Sequence, residues 1–424
     1  MKEIVEDLFK IYNSAIDSYN AKICQNINEK YTIIDKAMIA VYLYIKILSN
    51  LNIDDIDSKD VIVNYLLKQI IYGETGNLAL KISEDANKEM YNKIIDELVY
   101  DKFEYKNRIL KKLKYNYKKC ENKEYLNLLE FCELVSEMYI YDKLIRRGNE
   151  EAKDVFNSLK NQLLNFKSSY NNIIKNEQIN IINSIYKNDF QNTEYYNLIQ
   201  IALKLRDVYR YSTLTTIVPE NVLFHQYSMT IVNIIISEYM NMQGENIDIY
   251  TVVYKSLFHD FSEYKGNEIV AQIKLYNDET KKMFAEIEEN DENNLKELLG
   301  NNIYALIANY KKGKEGYVAD ILDKILGIMK LWIEVGYMNN YTYIKSICSL
   351  YQERFEKFKN VDRIKELKNQ KFLLELLKES YIFIKENMVN KDRYFLNQYF
   401  TEEEIKKFDI ELELLKKDKK MMII

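Results

Sequence analysis

Only two histidines occur in the 424-residue chain, His225 and His259. His259 is followed by Asp260. His225 lies 34 residues upstream in PENVLFHQYSMTIV, a segment opened by the only proline, Pro219. Further on, at 60 and 63 residues after Asp260, VADILDKILGIMKLWIEVG carries Asp320 and Asp323. Two neutral imidazoles and two carboxylates form a mixed nitrogen–oxygen set. Such a set suits one divalent ion (Mn, Co or Mg), with positions left open for water. On an enzyme, that ion lowers the pKa of bound water and holds a phosphoryl oxygen. The plainer account, two core histidines satisfied by hydrogen bonds, explains one motif but not the series of them.

The neighbours of these residues add further chemistry. Glu263 lies four residues after His259, which on a helix is one turn along the same face. That placement suits proton transfer. Arg210 precedes a stretch without helical patterning and offers a guanidinium fork to phosphate oxygens. Lysines are common here, so Lys274 alone is a weak phosphate contact.

Taken together, the stretch from about Leu203 to Tyr341 resembles the HD-domain phosphohydrolases, a metal-dependent all-α superfamily. Within it, the likeness is to the bacterial 5'-deoxynucleotidases, which remove phosphate from deoxyribonucleoside 5'-monophosphates. The residues that carry it are Arg210-Tyr211, Pro219-Glu220-Asn221-Val222, His225, His259-Asp260 with Glu263, Lys274, and Asp323 with Lys330 and Glu334. The resemblance implies metal ligands His225, His259, Asp260 and Asp323. Asp323 is preferred over Asp320 because Lys330 and Glu334 follow it at the family's spacing. It also implies catalytic roles for Glu263, Arg210 and Glu268, and substrate contacts from Arg210, Tyr211 and Lys274. Three positions depart from the pattern. Phe224 stands where Glu is common, Tyr211 where Trp is, and the turn TGD reads Lys265-Gly266-Asn267, with Glu268 as the substitute acid.

The elements that must position these residues are helices. Glycine contributes 10 residues and proline 1, where average usage gives roughly 30 and 20. Sheets need Gly and Pro at their turns, so the shortage argues against a mostly β fold. Apolar residues recur at helical spacing, with faces marked by Ile39, Leu43, Ile47 and by Ile231, Ile234, Ile235. Breaks are expected at Asn50–Asp57, Asn241–Asp248, Asn290–Asn294 and Lys311–Gly316. The tail from Thr401 to Lys420 reads as a final solvated helix with a capping-box start. The fold class is therefore all-α, and the resemblance implies that it is an HD-domain helical bundle.

Charge and cysteines bound the partners. The net charge of −5 argues against bulk nucleic-acid binding. Cys24, Cys120, Cys132 and Cys348 form no CxxC pair, which fits a reducing compartment. The acidic amphipathic start resembles neither a signal nor a transit peptide. The longest apolar runs, such as AMIAVYLYIKIL, are broken by charge, so no membrane span is expected. A cytoplasmic homodimer with a nucleotide substrate is the expectation.

The first half looks like a worn copy of the second. With a shift of 191 residues, Met38 falls on Met229 and AMIAVYLYIKIL on SMTIVNIIISEY. In that register Ile34 replaces His225, Lys68 replaces His259 and Gln69 replaces Asp260. Such a copy cannot rebuild the ligand set. The expected domains are a degenerate HD-like module without metal ligands (1–185), an HD phosphohydrolase domain (186–360) and a helical extension (361–424). Two other functions remain open from sequence: a nucleotide-binding protein that signals through its N-terminal module, and a hydrolase of cyclic or oligomeric nucleotides.

Overall fold

The computed structural model describes residues 1–20, 31–75, 122–168, 171–211, 216, 218–265, 277–307, 310–338, 367, 370–389, 403 and 406. In chain order the helices are α1 (Lys2–Asn20), α2 (Ile33–Asn50), α3 (Ile56–Thr75), α4 (Lys123–Arg146), α5 (Ala152–Leu164) and α6 (Asn172–Tyr186). Next come α7 (Glu194–Asp207), α8 (Val222–Met242) and α9 (Ile249–Phe258). The series ends with α10 (Asp278–Leu299), α11 (Asn301–Ile307), α12 (Gly313–Met338) and α13 (Gln370–Val389). Among the described residues there is no strand, only an isolated antiparallel bridge between Tyr209 and Asn221. The all-α class expected from the Gly and Pro shortage is the one observed. The expected tail helix lies outside the described residues, apart from positions 403 and 406.

Local chemistry starts the helices where side chains can accept from orphan N–H groups. Thr32 opens α2 with a reciprocal capping box to Asp35, and Asn221 opens α8 by accepting from the Phe224 N–H. The loops at 51–55 and 243–248 fall in the expected breaks. The expected break at Asn290–Asn294 does not exist, because α10 runs through it unbroken. Asn and Asp are weak helix formers rather than stops. A capping box at Asn277–Thr280 and an exposed polar face keep α10 helical there.

α2 and α8 are the two central helices. Every residue from Val222 to Ser237 is buried, and so is nearly all of α2. The apolar faces read from the sequence are therefore parts of helices enclosed on all sides, as expected for elements deep in a core. α8 packs on α9 and α12, while α2 packs on α4 and α7; α2 and α8 also touch each other. α1 packs on α3, α8 and α13. One continuous hydrophobic cluster contains residues from α1 through α13.

Phe224 explains one departure from the family pattern. Its ring stacks on Tyr19 of α1 (centroids 4.4 Å apart, 26° between planes) and lies 6.3 Å from Tyr12. The N-terminal half thus covers the position where Glu is common. Restoring that acid, Phe224→Glu, should lower stability by about 3–5 kcal/mol from lost aromatic burial alone. Desolvation of the carboxylate adds to this. Comparing thermal unfolding of the two proteins checks it; an unchanged midpoint contradicts the packing role.

Candidate metal centre

The site forms where α8, the end of α9 and α12 meet. His225 projects from the first turn of α8. Its Nδ1 lies 3.1 Å from Glu220 Oε1, so the N–H donates to that carboxylate, and in the neutral ring Nε2 carries the lone pair. His259 caps the end of α9, and its Nδ1 donates to the Ser256 carbonyl oxygen at 2.8 Å. Both rings are thus fixed in one tautomer with Nε2 turned inward, as second partners do for metal-binding histidines. Neither Nε2 makes a hydrogen bond, although both atoms are buried.

The carboxylates converge on these two nitrogens. Asp260 Oδ2 lies 3.0 Å from His259 Nε2 and 3.9 Å from His225 Nε2. Asp323 Oδ1 lies 3.1 Å from His225 Nε2. Donor atoms of His225, His259 and Asp260 all fall within 4.8 Å of one another. Asp323 joins from the His225 side. Asp320, one turn earlier, is directed instead to Lys311, 3.8 Å away. Two orphaned buried imidazole nitrogens facing two carboxylates are a donor set that fits one divalent ion.

Electrostatics reflect the crowding of charge. Burial and Arg210 push the His225 imidazolium down, but Asp323 and Glu220 outweigh them and raise its pKa to about 9. Burial raises Glu220, yet the His225 contact and Arg210 bring it down to about 2. Burial likewise opposes ionisation of Asp260 and Asp323. His259, Arg210 and His225 hold Asp260 below the usual carboxylate range; Lys324, His225 and Arg210 do so for Asp323.

Arg210 reaches the same centre from a short extended stretch. The bridge at Tyr209–Asn221 ties it down: Arg210 N donates to Glu220 O at 2.8 Å and Val222 N to Val208 O at 2.9 Å. Its Nη1 lies 2.7 Å from Asp260 Oδ2 and its Nε 3.6 Å from Glu220 Oε1. Tyr211 follows with φ of 58°, an uncommon left-handed conformation for a non-Gly residue. Its hydroxyl lies against Gly327 of α12, where a Cβ would stand 3.5 Å away.

Lys330 and Glu334 of α12 latch the loop that leads into α8. Lys330 Nζ bonds the Val218 carbonyl and Glu334, while Val218 N donates to Glu334 Oε1 at 3.0 Å. The family spacing of Asp323, Lys330 and Glu334 therefore has two physical meanings, one residue at the centre and two holding its loop.

Glu263 is placed differently from the expectation. α9 ends at Phe258, and Glu263 sits in a 3₁₀ turn, Phe261–Lys265, with its N–H donating to the Asp260 carbonyl. A four-residue spacing here is not a turn of α-helix. Glu268 and Lys274 lie outside the described residues.

Tyr310 was invisible to sequence reasoning. Its ring stacks on His259 (5.2 Å, 28°), and its buried hydroxyl has no hydrogen-bond partner. Burial raises its pKa, with Asp323, Asp320 and Asp260 adding to the rise. A tyrosine in a Lys-rich loop carries no spacing signal that would have found it.

A His, a His-Asp pair and a distant Asp brought together by three helices are the residue set expected of the HD-domain class. Residues 197–379 match a family of that superfamily, described as 5'-deoxynucleotidase YfbR-like. The matched stretch contains all four converging residues. At the level of this family, the match indicates a nucleotide phosphohydrolase, and HD-domain phosphohydrolases are metal-dependent. No curated protein and no solved structure matches the chain. Among the described residues, no helix is long and apolar enough to cross a membrane.

Proposed function

We propose that this chain is a divalent-metal-dependent phosphomonoesterase that releases phosphate from nucleoside 5'-monophosphates, deoxy forms foremost. The observation that carries the reading is the pair of buried, unbonded Nε2 atoms of His225 and His259, set against Asp260 and Asp323. A bound ion would supply Lewis acidity to a phosphoryl oxygen and acidity to water. His225, His259, Asp260 and Asp323 are the residues that would hold it.

The remaining steps belong to side chains of this protein. Arg210, now paired with Asp260, grips the phosphate oxygens. The Tyr310 hydroxyl donates to an oxygen of the substrate, and Tyr211 lines the nucleoside side. Lys274 contacts the phosphate and Glu268 supplies the catalytic acid of its turn, as the family likeness implies. Water oxygen bonds to phosphorus while the bond from phosphorus to the 5' oxygen breaks. Glu263 takes the proton of the water and returns it to the departing 5' oxygen of the nucleoside. The scattered cysteines support a cytoplasmic setting, and we propose a homodimer there.

Phosphate release from a panel of ribo- and deoxyribonucleoside 5'-monophosphates with Mn, Co or Mg tests the reading. Metal-dependent release supports it. Nucleotide affinity without turnover indicates a binding protein instead, and release only from cyclic or oligomeric nucleotides indicates another leaving group. Glu263→Gln should keep metal and nucleotide binding while turnover falls roughly 10²–10⁴-fold. Unchanged turnover removes Glu263 from the mechanism.

A further inference from the structure

We propose that the N-terminal half serves the metal centre of the C-terminal half directly, with Tyr12 as a positioning residue for His225 through Glu220. This rests on the metal reading above. The Tyr12 hydroxyl donates to Glu220 Oε2 at 2.7 Å, and the other oxygen of the same carboxylate holds His225 Nδ1 at 3.1 Å. All three side chains are buried. A buried carboxylate needs partners on both oxygens. Here one is the imidazole and the other arrives from 208 residues away. Rotation of Glu220 would release the imidazole, so Tyr12 sets the direction in which Nε2 points.

The same helix grips the neighbouring residues. Tyr19 lies seven residues after Tyr12, two turns along one face of α1. Its hydroxyl accepts from Asn221 Nδ2 at 2.9 Å and its ring stacks on Phe224. α1 therefore holds Glu220, the cap residue Asn221 and Phe224, which together fix the entry of the chain into α8.

The repeat gives this contact a structural origin. Shifted by 191 residues, the span of α1 becomes 193–211, over α7; that of α2 becomes 224–241, over α8. The span of α3 becomes 247–266, over α9 and its 3₁₀ turn, and that of α4 becomes 314–337, over α12. Contacts run between the halves in both directions: Tyr42 OH donates to the Leu257 carbonyl and Tyr227 OH to the Leu66 carbonyl. The two acceptors are 191 residues apart, while the two donors are not equivalent in this register. In this register Tyr19 stands at the position of Arg210 and Cys132 at that of Asp323, beside Ile34, Lys68 and Gln69 at the other ligand positions. The first copy thus has no ligand set at these positions, and its α1 supports the site in the second.

Cobalt titration of the full chain, read by visible absorption and by affinity, tests the assignment. Tyr12→Phe should weaken Co(II) binding roughly 10–100-fold, the usual loss for a second-layer partner, and shift the absorption bands. In a Glu220→Gln background, Tyr12→Phe should add little, because both act through one link. Tyr44→Phe removes an equally buried hydroxyl that bonds Ser58 O in the same half, and should leave affinity and spectrum unchanged. Wild-type affinity and spectrum in Tyr12→Phe overturn the inference. So do equal losses in Tyr44→Phe, or full additivity with Glu220→Gln. No Co(II) binding by the wild-type chain overturns the metal reading itself, and this inference with it.

Discussion

Asp260→Asn should bring phosphate release down by about a thousandfold. The amide keeps the size of the side chain but loses the charge that a divalent ion needs. Several kcal/mol of Lewis-acid stabilisation are then lost, at about 1.4 kcal/mol per tenfold in rate. Asp260 also faces Arg210 Nη1 at 2.7 Å and His259 Nε2 at 3.0 Å, so two further groups lose their orientation. Metal content by elemental analysis, taken beside turnover, checks the cause: both should fall while helical content stays. Full metal occupancy with lost turnover would instead assign Asp260 a role in chemistry alone.

The second large effect is on stability. Lys330 and Glu334 are 1% and 0% exposed and bond each other and the Val218 backbone. Lys330→Met leaves the Glu334 carboxylate buried without its cation, a loss of roughly 3–5 kcal/mol. The double change Lys330→Met with Glu334→Leu should recover much of that, since two apolar residues leave no unpaired charge. It should not recover activity, because the Val218 N–H and carbonyl are still without partners and the loop into His225 is loose. Denaturant unfolding with parallel phosphate assays separates the two. Equal stability of the single and double variants contradicts the ion-pair account.

How much of this was legible follows from where each signal lives. The convergence of His225, His259, Asp260 and Asp323 was readable because two histidines in 424 residues, both in motif context, leave little room for chance. The helical class was readable because a shortage of Gly and Pro acts on every turn. Asn290–Asn294 misled because a polar cluster inside a solvated helix has the composition of a loop. Glu263 misled because spacing was converted to geometry as if α9 continued past Phe258. Tyr12 and Tyr310 were out of reach. One acts across 208 residues, and the other through a loop whose path no local pattern fixes. Phe224 was visible as a departure, but its reason, the rings of α1, exists only in the packed fold.

The central claim is that His225, His259, Asp260 and Asp323 hold one divalent ion. Crystals of the full chain grown with Co(II), measured at the cobalt absorption edge, test it most directly. The account expects one strong anomalous peak between the two Nε2 atoms, about 2.0–2.2 Å from each nitrogen and from an oxygen of each aspartate. A map without density there, or with its peak at other residues, would contradict it.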